Sequence, residues 1–81
     1  SPSQMLSNLI ATVRGLNFQQ GINLLQAALK HINDGNNTPA CNQLNAFINQ
    51  AQAQSGKQLT VAQANQLIAS ANQIKAALGC P

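Results

Sequence analysis

Charge is scarcest in this chain. Only 6% of its 81 residues are Asp, Glu, Lys or Arg, and Asp34 is the sole acid. One carboxylate cannot supply the paired acids of a glycosidase site, and the low charge also excludes a charge-rich disordered tail or an ion-pair-laced coiled coil. Aromatics are nearly as rare: Phe18 and Phe47, with no Trp and no Tyr. The ring faces that stack on bases or sugars are therefore missing unless one of these two is exposed. The longest apolar stretch, Leu24 to Leu29, is broken by Gln26 and falls far short of the roughly 20 residues that cross a bilayer. No membrane span is expected.

The net charge of +3 and pI near 9.4 arise from missing acids, not from abundant bases. Arg14, Lys30, Lys57 and Lys75 are dispersed along the chain, whereas a nucleic-acid binder clusters its cations against several phosphates. No nucleic-acid partner is expected.

Amide takes the place of charge. The chain holds 12 Gln, 11 Asn and 13 Ala, so much of its polar surface must come from neutral groups that both donate and accept. Eighty-one residues make one small domain, and Ser1-Pro2 reads as the ragged start of a segment processed from a longer chain.

Periodicity predicts four helices. The first opens at Ser3, carries Leu6, Leu9, Ile10 and Val13 at spacings of three and four, and stops at Gly15. Asn17 is read as the N-cap of a second, whose stripe is Phe18, Ile22, Leu25, Leu29 and Ile32, ending at the turn cluster Asp34 to Asn37. Gly21 is expected to weaken its first turn by about 1 kcal/mol relative to Ala. Thr38 as cap and Pro39 at the first helical position start a third, with Cys41, Leu44, Phe47, Ile48 and Ala51 inward until Gly56. After Leu59, Thr60-Val61-Ala62-Gln63 has capping-box form. The fourth helix then turns Ala64, Leu67, Ile68, Ala71, Ile74 and Leu78 inward until Gly79.

Short connections favour antiparallel neighbours, so the third and fourth helices should form a hairpin. That pairing brings Cys41, in the first turn of one, beside Cys80, just past the last turn of the other. The fold expected is an all-α, four-helix antiparallel bundle stapled by a Cys41–Cys80 disulfide. The alternative is two unrelated thiols. With only His31 besides, the cysteines lack any zinc-ligand spacing, and no metal or cofactor site is expected. A structural disulfide implies an oxidising compartment, hence a secreted or cell-surface protein.

Asp34 is the only acidic side chain and His31 the only imidazole, so the melting temperature should vary little between about pH 3 and 8, and a steep dependence would contradict this reading. His31 and Asp34, three positions apart, are read as a contact at the end of the second helix and not as half of an active site. No Ser-His-Asp or Cys-His nucleophile is credible, so the chain is expected to be non-catalytic.

The second half has a recognisable pattern: Ala40-Cys41-Asn42-Gln43-Leu44-Asn45-Ala46-Phe47-Ile48-Asn49-Gln50, then Gln54 to Thr60, then Ala64 to Cys80. In the first half, Gly21 to Leu25 with Ala28 and Leu29 adds to it. From about Met5 to Cys80 the chain closely resembles the FIMAH-type helical domain. That module lies near the C-terminus of many secreted bacterial and some archaeal proteins, among them polysaccharide lyases, other hydrolases and surface proteins. The resemblance implies residues 1–81 as one non-catalytic accessory module of a longer secreted protein, beside a catalytic or surface domain. No ligand-contacting residue carries over from the family.

Two function classes follow. The first is a module that holds its parent against a polysaccharide or cell-surface polymer, exchanging hydrogen bonds between outward amides and sugar hydroxyls. Asn45, Asn49 and Gln52 along one flank of the third helix, and Asn65 and Asn72 along one of the fourth, are the candidate residues. Plain solvation without charge explains the same amides. The second is a structural cap or protein-interaction spacer, to which outward Ala62, Ala69 and Ala76 would suit close helix contact. A saposin-like or pore-forming helical peptide shares the size, but two cysteines are too few and no helix has a basic polar face. Strong cosedimentation with vesicles would revive that idea.

Overall fold

The computed structural model describes all residues from Ser1 to Pro81: α1 (Pro2–Gly15), α2 (Gln19–Asn33), α3 (Asn37–Gln54) and α4 (Val61–Leu78). Each helix packs on the next and α4 closes back on α1, with no diagonal contact. The result is a four-membered ring of antiparallel neighbours. The two ends are fastened differently. At one, Gln58 of the α3–α4 turn donates to the Asn17 carbonyl at 3.4 Å and accepts from Gln20 Nε2 at 3.2 Å, latching onto the α1–α2 turn. At the other, Cys41 and Cys80 form the expected disulfide, with Cα atoms 5.7 Å apart.

The core is the sum of the four apolar stripes. Leu6 and Val13 of α1, Leu25 of α2, Leu44 of α3 and Ile74 of α4 are all fully or almost fully enclosed. Phe18 and Phe47 pack against each other within it, both 0% exposed, with ring centroids 6.1 Å apart and planes tilted by 51°. Neither ring is therefore a stacking platform for a ligand. Leu59, read from the sequence only as the residue before a cap, is buried as a plug beneath the α3–α4 turn.

Helix ends follow local chemistry, and three differ from expectation. Asn17 does not cap α2: it has φ 56°, and Phe18 holds the cap position without a side-chain bond. Reversing the chain between Gly15 and Gln19 requires one left-handed residue, and Asn tolerates that conformation better than other side chains. α3 begins at Asn37 after Asn36, so Thr38 is not its cap and Pro39 stands third in the helix. Proline is tolerated there because first-turn N–H groups have no intrahelical partner. Third, Asp34 pairs with Lys30 at 3.2 Å, one full turn back, instead of His31. Both partners are well exposed, and the pair contributes little to stability.

α4 has the predicted signals at both ends. Thr60 Oγ1 accepts from the Gln63 N–H at 3.0 Å while Gln63 Oε1 accepts from the Thr60 N–H at 2.9 Å, and Gly79 ends the helix at φ 72°. Replacing Thr60 with Ala should cost about 1 kcal/mol. Thermal unfolding should show a fall of roughly 4–8 °C, and no fall would mean that the box contributes nothing.

Candidate functional site

The chain buries no polar or charged side chain, every Asn is exposed, and no Gln is buried. Amides are thus solvent-facing by construction. The five sequence candidates, Asn45, Asn49, Gln52, Asn65 and Asn72, are all exposed, and none makes a side-chain hydrogen bond within the chain.

Helical periodicity places them together. On α3, Asn45 and Gln52 flank the side that Cys41 turns toward α4 through the disulfide. On α4, half-buried Ile68 and Lys75 face α3, and Asn65 and Asn72 lie just outside them. With the helices antiparallel, counting rise back from their shared turn brings Asn45 level with Asn72 and Asn49 level with Asn65. The amides therefore border one seam. They do not line a cavity.

The one concave site is on the opposite flank of α4, where α1 and α4 leave an open groove of about 690 Å³. That volume falls within the usual range of small-molecule sites. Its apolar lining comes from Met5, Leu9 and Leu16 of α1 and the adjoining loop, with Leu67, Ala69 and Ile74 of α4. Its polar lining is Asn8, Thr12, Gln63, Gln66, Ser70 and Gln73. No charged side chain contributes.

The groove has a packing cause. Thr12 and Ser70, on the groove-lining sides of α1 and α4, are short, and neither fills the space that a Leu or Met at its position would occupy. Gln66, Ser70 and Gln73 recur at spacings of four and three, forming one ridge along α4, and their side chains bond to nothing within the chain. Asn8 Oδ1 accepts from Gln4 Nε2 at 3.2 Å, which leaves its own NH₂ free to donate outward. Gln63 is committed to capping. Sequence reasoning missed this ridge because Gln beside a core stripe usually marks a solvated flank. The available signal was Gln66, Ser70 and Gln73 on the side of α4 opposite Asn65 and Asn72.

No group of three or more His, Cys, Asp or Glu side chains comes together as a metal site, and no helix is long and apolar enough to cross a membrane. The disulfide suits an oxidising, non-cytoplasmic environment.

Fold and surface together define a small disulfide-stapled helical module with an amide surface and an uncharged groove. The FIMAH domain family model matches residues 14–76, and the chain belongs to that family. The match covers α2, α3 and most of α4, while Met5 to Val13 and Cys80, included in the resemblance above, lie outside it. No curated protein and no solved structure matches the chain.

Proposed function

We propose that the chain is a non-catalytic accessory module of a secreted or cell-surface protein, near the parent's C-terminus, holding it against a polysaccharide or cell-surface polymer. One observation carries the reading: the surface offers hydrogen bonds mainly through neutral amides, most of them unengaged. Sugar hydroxyls both donate and accept, and a carboxamide answers both on one planar group. Such bonds compete with water and are individually weak, so affinity would come from many subsites along a polymer. Membership in the FIMAH family supports the accessory role.

Cosedimentation with a panel of insoluble polysaccharides tests this. Retention on at least one polymer, absent for an unrelated helical bundle of similar size, is the expected result. Retention on none would overturn it.

A second reading has its own support. Ala62, Ala69 and Ala76 are exposed along one line of α4, a strip of small side chains on which another helix could seat closely. In that case the module docks on its parent's catalytic or surface domain, and a shift in elution when the two are mixed would show it.

A further inference from the structure

We infer that the groove between α1 and α4, not the amide seam between α3 and α4, is the polymer site, and that it takes an uncharged glycan chain. This rests on the reading of the module as a polysaccharide anchor, and it adds where the polymer lies and which chemical class it belongs to.

Three observations converge on the groove. First, its lining matches the two-sided chemistry of a pyranose. Half-buried Met5 and Leu16, backed by the nearly enclosed Leu9, Leu67 and Ile74, offer apolar contact to the C–H faces of the rings, while Gln66, Ser70 and Gln73 offer unengaged hydrogen-bonding groups to their hydroxyl edges. The seam has the amides without a cavity. Without one, each amide exchanges a bond to water for a bond to sugar at little net gain. A concave site adds apolar burial to the same bonds.

Second, the groove is the right shape for a chain. From Met5 to Leu16 the α1 side rises by about 16 Å, the length of a short oligosaccharide, and the groove opens to solvent and is not an enclosed cavity. A polymer can lie in it without threading an end.

Third, charge selects against acidic polymers. Arg14 and Lys75, the cations on the two groove helices, lie on other faces of α1 and α4, and Lys30 is paired with Asp34 on α2. Lys57 is in the α3–α4 turn outside the lining. A uronate carboxylate placed in this groove would lose hydration with no cation in the lining to compensate. A neutral sugar carries no such penalty.

The test compares three forms of the full chain: the native sequence, a groove variant (Gln66→Ala with Gln73→Ala) and a seam variant (Asn45→Ala with Asn65→Ala). All four positions are exposed, so both variants should fold, and equal melting temperatures would verify that. Each is sedimented with neutral polymers (cellulose, xylan, mannan, chitin) and with insoluble polyuronates. The native chain should be retained on a neutral polymer and not on polyuronates. The groove variant should bind that polymer about tenfold more weakly or worse, for two lost hydrogen bonds, and the seam variant should match the native chain. Retention lost only in the seam variant, or unchanged in both, would overturn the groove and leave the anchoring role standing. Retention only on polyuronates would overturn the neutral specificity. Retention on nothing would remove the anchoring role as well.

Discussion

Replacing Cys41 and Cys80 together with Ala is expected to destabilise the fold by about 4 kcal/mol, from the entropy of closing a loop with a separation of 39 residues. A whole domain of this kind has only about 5–15 kcal/mol in hand. At roughly 4–8 °C per kcal/mol, the melting temperature should fall on the order of 20 °C. Alanine is the better replacement at Cys41, which is 5% exposed, because a serine hydroxyl there would also have to be desolvated. The loss should be distributed unevenly. α4 has its last turn fastened by the bridge at this end, so amide exchange should accelerate first over Ile74 to Leu78. An unchanged melting temperature would mean that α3 and α4 are already held together in the unfolded ensemble. The clasp would then not be what stabilises so small a core.

Gly21 is the second place where a large effect is expected, and there the sign matters more than the size. In an ordinary helix interior, Gly→Ala stabilises by up to about 1 kcal/mol. At Gly21 a Cβ would come within 2.6 and 2.7 Å of the Phe18 ring and 2.9 Å of the Phe47 ring. Both rings are fully buried, so neither can swing away into solvent. Overpacking of that kind costs about 1–3 kcal/mol, and set against a helical gain of up to about 1 kcal/mol it leaves Gly21→Ala destabilising by about 1 kcal/mol. Gly15 provides the control. It ends α1 with nothing within 4 Å of its would-be Cβ, so Gly15→Ala should be neutral or stabilising by a few tenths of a kcal/mol. Parallel chemical denaturation of the two variants reads the difference directly. If both shift the same way, the Phe18–Phe47 contact does not require the glycine.

Gly21 also shows where sequence reasoning succeeded and where it stopped. The four helices were legible because each carries an apolar stripe at helical spacing, and Thr60, Gln63 and Gly79 mark the ends of α4 with unambiguous chemistry. The disulfide was legible because topology and cysteine position agreed. A glycine's neighbours are not in the sequence, so Gly21 read as a weakness when it is the clearance that two rings need. Asn17 and Thr38 were misread for a related reason: Asn suits a helix cap and a left-handed turn equally, and Thr-Pro marks the first turn without fixing the first residue. The candidate amides are exposed, but so is every other Asn, and exposure alone does not make them a binding site. The groove was invisible because it depends on which helix closes the ring against α4, and on the short side chains, Thr12 and Ser70 among them, that line the gap between α1 and α4.

The functional account rests on recognition by a surface that hydrogen-bonds without charge. Affinity electrophoresis through gels containing a neutral or an acidic polysaccharide, each at low and high ionic strength, tests that most directly. Interactions between exposed charges weaken as salt shortens the screening length, whereas amide–hydroxyl bonds and apolar contacts do not depend on it in that way. The expected result is retardation by a neutral polymer that persists at high salt. Retardation only by the acidic polymer, abolished as salt rises, would show that the dispersed cations and not the amides do the binding, and would contradict the account.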